Sequence, residues 1–205
     1  LREFLIASSR QSRSEMRSSM KIGLLAVQGA FAEHEQMLEQ LGAEYIELRK
    51  GEDVRQSYDG LILPGGESTV QGKLMRELDM FDTIQSQIKN GMPVLATCAG
   101  AILLAQQLSN DAATHLATLP AVVRRNAYGR QLGSFSVDEQ IEGIGTFPMR
   151  FIRAPYIEKV LDDTKVLAKV DGNIVMVENK NQLAMSFHPE LTSDTRIHEM
   201  FLKKI

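Results

Sequence analysis

Pro93-Val94-Leu95-Ala96-Thr97-Cys98-Ala99-Gly100-Ala101-Ile102-Leu103-Leu104-Ala105 decides how this chain is read. The apolar run Pro93–Ala96 suits a central parallel strand, and Ala99–Leu108 has the composition of a helix packed on a sheet. Cys98, the only cysteine, stands at the join. Small side chains at Ala96, Ala99 and Gly100 permit a sharp strand-to-helix elbow. A nucleophile held there is clear of the backbone. It also sits at the positive end of the helix, where a thiolate is favoured and backbone N–H groups can receive an oxyanion. A lone cysteine is nevertheless more often a buried structural residue, and only a base elsewhere in the chain separates the two readings.

Upstream of the elbow, strands and helices alternate. Lys21–Val27 reads as a strand, Phe31–Leu41 as a helix ended by Gly42, and Ala43–Leu48 as a second strand. Tyr58–Leu63 is a third strand and runs into Pro64-Gly65-Gly66-Glu67-Ser68-Thr69. Ser68 and Thr69 are suitable caps for a helix over Val70–Leu78, and Phe81–Lys89 forms another amphipathic segment. This alternation predicts an α/β fold, a single three-layer domain around a mostly parallel, doubly wound sheet. Ligands of such sheets bind at the carboxyl ends of the strands, where the Pro64–Ser68 loop and Cys98 both fall.

Downstream the pattern changes. Ala121–Arg125, Leu132–Val137, Thr146–Arg153, Lys165–Val170, Asn173–Glu178 and Gln182–Phe187 read as short strands, with a tight turn at Asp171-Gly172-Asn173. The second half is expected to add antiparallel strands continuous with the first sheet, and Thr192–Lys204 to close as a helix. Residues 1–19, with Arg2, Arg10, Arg13 and Arg17 among serines, differ from the rest. They read as an N-terminal extension, disordered or appended ahead of a fresh start at Met20. The domain is placed at 20–205.

Bulk composition narrows the function. A net charge of −3, with 43% hydrophobic and 24% charged residues, gives no reason to expect a nucleic acid or membrane partner. One cysteine excludes a disulfide framework and points to a reducing compartment, the cytoplasm. No pair of His or Cys has ligand-like spacing, so no metal and no cofactor are expected.

The missing base appears at Ser186-Phe187-His188-Pro189-Glu190. If this segment continues extended from a strand, His188 and Glu190 project to the same side. A carboxylate beside an imidazole fixes its tautomer and supports the imidazolium, so Cys98, His188 and Glu190 make a chemically complete nucleophile, base and orienter. His34 lies between two glutamates in the first helix and reads as a solvated or packed residue. His115 and His198 lack such a carboxylate and are set aside.

Cys98 in Thr-Cys-Ala-Gly with a late His188-Pro-Glu190 resembles the class I (triad) glutamine amidotransferases, a flavodoxin/Rossmann-like fold. Five further stretches narrow the resemblance to the glutaminase subunits of pyridoxal 5′-phosphate synthase, over Met20 to the C-terminus. They are Gln28-Gly29-Ala30, Gly65-Gly66-Glu67-Ser68-Thr69, Arg125-Asn126 through Arg130-Gln131, Phe151-Ile152-Arg153 and the segment around His188. The resemblance implies hydrolysis of L-glutamine to glutamate and ammonia through a γ-glutamyl thioester. It implies glutamine binding by Gly65, Gly66, Glu67, Arg125, Ile152 and Arg153, and an oxyanion hole from the backbone of Gly66 and Ala99. Gln28 and Gly29 become candidates for contact and coupling with a separate synthase subunit, which would receive the ammonia in a hetero-oligomer.

Two departures qualify the match. Ala96 stands where the family usually has glycine, and residues 1–19 have no family counterpart. Three rivals remain open on sequence: an amidotransferase of another pathway, a cysteine hydrolase or redox protein of similar fold, and a non-catalytic subunit.

Overall fold

Apolar, short-looped strands fix the architecture. The structure, a computed structural model, describes residues 15, 19–126 and 133–205. The motif residues Arg130 and Gln131, and nearly all of the N-terminal extension, lie outside the described residues. Strands β1 (Lys21–Leu25), β2 (Glu44–Leu48), β3 (Gly60–Leu63), β4 (Val94–Thr97) and β12 (Gln182–Met185) pair in parallel in the order β2-β1-β3-β4-β12. Every residue of β3, β4 and β12 is buried, as strands covered on both faces require.

From β12 the sheet continues antiparallel. It passes through β11 (Asn173–Asn179) and β9 (Tyr156–Val160) to β6 (Leu119–Arg124), beside which β5 (Ala105–Leu108) lies parallel. Strand β10 (Lys165–Val170) pairs with β11 through the turn at Asp171 and Gly172, whose φ values of 49° and 79° are those of a left-handed hairpin turn.

Two layers of side chains cover the sheet. On one face, α3 (Ser68–Glu77), α4 (Phe81–Lys89) and α5 (Ala99–Leu104) bury Met75, Ile84, Ile88 and Leu103, joined by Val54 of the short α2 (Gly51–Val54). On the other, α1 (Phe31–Gln40) and α6 (Arg196–Leu202) bury Leu38, Ile197 and Phe201. Strands β7 (Ser134–Ile141) and β8 (Gly145–Ile152) complete that second face. No helix among the described residues is long and apolar enough to cross a membrane.

Several expectations are corrected. The helix after Cys98 stops at Leu104, and Ala105–Leu108 becomes an edge strand whose Gln106 and Gln107 are exposed. Four residues of mixed polarity satisfy their backbone better on β6 than by prolonging a helix that is buried all round. Helix α3 starts at Ser68 with Glu67 as its N-cap and no side-chain cap bond, so neither Ser68 nor Thr69 caps it. Strands β7 and β8 do not continue the main sheet but pair only with each other. Their buried Phe147, Met149 and Phe151 lay the hairpin across the sheet face as a third-layer roof. Strand β9 has no counterpart among the expected strands. The last helix begins only at Arg196, because Thr192 and Asp194 bond to neighbouring backbone groups and form turns instead.

Candidate active site

The elbow forms because β4 ends against β12. Thr97 is in register with Met185, and Cys98 N–H donates to the Met185 carbonyl at 2.8 Å. Cys98 itself adopts φ 49°, ψ −105°, a strained conformation for a residue with a Cβ. Helix α5 then starts at once, with Gly100 so close to β3 that a Cβ would lie 2.2 Å from the Leu63 carbonyl oxygen. The N–H of Ala99, first residue of that helix, has no intrahelical acceptor. The same turn therefore presents both a thiol and a backbone donor that meets no acceptor among the described residues.

The parallel β4–β12 pairing brings the end of β12 alongside Cys98. Beyond Met185 the chain is fixed by packing: Phe187 lies 5.7 Å from Phe151 and 6.1 Å from Phe147, ring centre to centre. His188 N–H then donates to the Arg150 carbonyl of β8 at 2.8 Å. His188 and Glu190 do meet, but not by two-residue alternation along a strand. Pro189–Leu191 forms a 3-10 turn, for which proline's fixed φ is suited, and the turn folds the Glu190 carboxylate back onto the ring. His188 Nδ1 lies 2.6 Å from Glu190 Oε1. A carboxylate only accepts, so Nδ1 carries the proton and Nε2 is left for Cys98. Burial, the largest single influence, pushes the imidazole pKa down. Hydrogen bonds to Cys98 and Glu190, and their charges, outweigh it and push the pKa up to about 10.

Cys98 and His188 open into a cleft of about 900 Å³. Gly65, Gly66, Glu67, Arg125, Ile152 and Arg153 all line it. Glu190 is buried behind His188 and does not line the cleft. Gly65 packs directly against the imidazole, since a Cβ there would lie 2.3 Å from His188 Cε1. The two arginines differ. Arg125 donates to Asp111 at 2.8 Å and to Thr69 Oγ1 at 3.2 Å, so its charge is already met. Arg153 makes no ion pair among the described residues, and its φ of 45° turns the chain sharply where the roof ends.

Gln28 and Gly29 belong to the same assembly. Gln28 Oε1 accepts from Glu67 N–H at 2.9 Å, and Ala30 N–H donates to the Gly65 carbonyl at 3.0 Å. The β1–α1 loop thus holds the Gly65–Glu67 loop by its backbone.

This geometry has counterparts. Residues 24–205 match the SNO glutamine amidotransferase family. The chain belongs to that family. Among curated relatives of this SNO glutamine amidotransferase, pyridoxal 5′-phosphate synthase subunit PdxT of Desulfitobacterium hafniense (strain DSM 10664 / DCB-2) is 63% identical over 186 residues, covering 91% of this chain and 94% of the relative. The subunit of the same name from Streptococcus pneumoniae (strain CGSP14) is 52% identical, covering 90% and 96%. A crystal structure described as a glutamine amidotransferase superposes with a TM-score of 0.85 at 43% identity, covering 89% of this chain and 97% of that one. The PurLQS structure from Thermotoga maritima shares the fold, at 18% identity and a TM-score of 0.62.

Sequence reasoning about this SNO-family chain misses residues behind the cleft. His34, Thr97 and His198 are all fully buried and form a polar cluster against Glu190. Asp111, the partner of Arg125, is missed as well. Neither is signalled locally, because each contact joins elements distant in sequence.

Proposed function

We propose that this chain is the glutaminase subunit of a pyridoxal 5′-phosphate synthase, hydrolysing L-glutamine and passing ammonia to a separate synthase subunit. The observation that carries the reading is Cys98 and His188 together in a cleft lined by Arg125 and Arg153, with Glu190 bonded to His188 from behind, in a chain 63% identical to a PdxT subunit. The amidotransferase domain is assigned to residues 20–205, supported by the family match over 24–205 and by β1 beginning at Lys21. A single cysteine supports a cytoplasmic location.

The geometry supports the following roles. Cys98, as thiolate, attacks the side-chain carbonyl carbon of glutamine, and the oxyanion is received by the N–H groups of Ala99 and Gly66. The His188 imidazolium protonates the amide nitrogen, the C–N bond breaks and ammonia leaves, giving a γ-glutamyl thioester on Cys98. His188, now neutral, takes a proton from water, whose oxygen displaces the thiolate and releases glutamate. Glu190 holds the ring and its charge. Arg153, free of an internal partner among the described residues, is assigned the substrate α-carboxylate, and Glu67 the α-ammonium. Arg125 shapes the cleft with its charge committed to Asp111. Gln28 and Gly29 are the candidates for contact with the synthase, since movement there is transmitted to Gly65 and Gly66.

The test is glutamate release from glutamine, measured with the purified chain alone and with its synthase subunit. The expected outcome is low release alone and strong stimulation by the partner. No release in either condition, with glutamine saturating, would sink the reading.

A pH profile gives an independent check. The His188 pKa is raised, so the imidazolium persists through neutrality and is lost only as pH climbs through about 10. Glutamate release by the complex is therefore expected to lose its rate on the alkaline side only near that value. Glu190→Gln, which removes the carboxylate's charge, should bring the alkaline limb to lower pH. A wild-type limb near neutrality would contradict the assignment of His188 as the proton donor.

A further inference from the structure

Glu190 has two carboxylate oxygens, and the reaction described above uses one. Oε1 accepts from His188, whereas Oε2 is buried and accepts no hydrogen bond among the described residues. His34 Nε2 of α1 stands 3.6 Å from Oε2, just beyond hydrogen-bond length, and 3.3 Å from Thr97 Oγ1, the residue before the nucleophile. Its other nitrogen, Nδ1, lies 2.9 Å from Nε2 of His198 on α6. The two rings are tilted at 50° with centres 5.1 Å apart, and both side chains are fully buried. Two histidines are thus sealed behind a carboxylate in a region that the sequence would otherwise fill with leucine and phenylalanine. A pair of buried polar rings is costly unless its hydrogen bonds serve a purpose.

Burial pushes the pKa of both rings below the ordinary histidine value, with His198 at about 4 and His34 further lowered by His198 and His188. Each ring is therefore neutral and carries one proton, and the His34–Glu190 contact is not an ion pair. The arrangement of those two protons can be worked out. If His34 were protonated on Nδ1, it would donate to His198 Nε2. Its bare Nε2 would then face the Glu190 carboxylate lone pair to lone pair, and His198 Nδ1, which has no partner among the described residues, would be a buried unpaired donor. With the opposite tautomers, His198 Nε2–H donates to His34 Nδ1 and His34 Nε2–H points at Thr97 and Glu190. His198 Nδ1 is then merely an unused acceptor, which is the cheaper defect.

We infer that His34, its tautomer set by His198, is a positioning residue that presents an N–H to the outer oxygen of Glu190 and so aims the carboxylate at His188. The relay runs from α6 through α1 to the 3-10 turn, and through Glu190 to the ring that serves Cys98. Contacts of this type behind a carboxylate–imidazole pair fix orientation rather than bind substrate. This inference rests on the glutaminase reading for its consequences in activity, but not for its tautomers.

Two measurements test it. Long-range proton–nitrogen NMR spectra of the full chain labelled with ¹⁵N-histidine should show His34 and His198 each neutral near pH 7 and protonated on Nε2. A His34 protonated on Nδ1 overturns the inference, whatever the activity. In the complex with the synthase, His34→Leu keeps the volume but removes both polar atoms. It is expected to lower kcat for glutamate release about 10- to 100-fold while KM for glutamine changes by less than about twofold. His34→Gln restores an N–H towards Glu190 and an acceptor towards His198, and should recover most of the lost kcat. A purely space-filling role predicts the reverse order, so a His34→Leu complex as active as wild type, or a His34→Gln complex no better than His34→Leu, also overturns it. Should His34→Leu fail to fold, the tautomers of the wild-type chain still decide the matter. A wild-type complex without glutaminase activity would instead remove the functional reading and leave the spectra to judge this one.

Discussion

Cys98→Ala in the complex is expected to reduce glutamate release by about 10³-fold or more, to the background without enzyme, because no other group can form the thioester. The fold should survive the change. Cys98 is buried, and its φ of 49° strains alanine no more than cysteine. The backbone bonds that hold the elbow, Cys98 N–H to Met185 and Ala101 N–H to Cys98, do not involve the thiol. Thermal unfolding should therefore stay within a few degrees of wild type. The defect lies upstream of the synthase, so supplying ammonium salt at alkaline pH should restore product formation by the complex. A variant that still releases glutamate from glutamine would show that the sulfur is not the nucleophile. A variant that ammonium does not rescue would show that the change has damaged the partner contact instead.

Gly65→Ala should be nearly as damaging, for a geometric reason. The added methyl would sit 2.3 Å from Cε1 and 2.9 Å from Nδ1 of His188, both well inside van der Waals contact. The glycine cannot retreat easily, because its carbonyl is held by Ala30 N–H and Glu67, two residues on, by Gln28. The imidazole must yield, which breaks or bends the 2.6 Å bond between Nδ1 and Glu190. A loss of about 100-fold or more in kcat is expected, on the scale of misplacing a catalytic group by about an ångström. Stability should fall by only about 1–3 kcal/mol, the usual cost of overpacking. The alkaline limb of the remaining activity should also shift, since the contacts that raise the imidazole pKa are disturbed. Wild-type kcat in a folded Gly65→Ala complex would mean that the ring does not occupy its observed place during turnover.

The parts of the site that are legible from sequence are those with local signatures. Cys98 announces itself because small residues and a switch from strand to helix composition surround it, and those features act over a few residues. Gly65 and Gly66 are legible as the mouth of a strand-to-helix loop for the same reason. His188 and Glu190 are paired correctly on a wrong premise: the spacing suggests alternation along a strand, and a proline-led turn brings them together instead. The β9 segment Tyr156-Ile157-Glu158-Lys159-Val160 carries no clear signal because only Ile157 is buried, so its pairing with β6 and β11 decides its conformation rather than its own pattern. The roof hairpin is recognisable as strands, yet its separation from the main sheet depends on Phe147 and Phe151 finding Phe187, a contact between distant segments. His34, His198 and Asp111 matter only through partners far along the chain, and no spacing rule reaches them.

The central place of β12 has a consequence for how the protein comes into being. The strand beside Cys98 in space, Gln182–Met185, is made some ninety residues after β4. Until β12 slots in between β4 and β11, the elbow lacks its Met185 anchor and His188 is not yet in place. A chain that stops before β12 therefore lacks both the anchor of the elbow and His188. Such long-range closure makes for slow folding. It also means that Cys98, His188 and Glu190 come together only after the segment carrying β12 has been made.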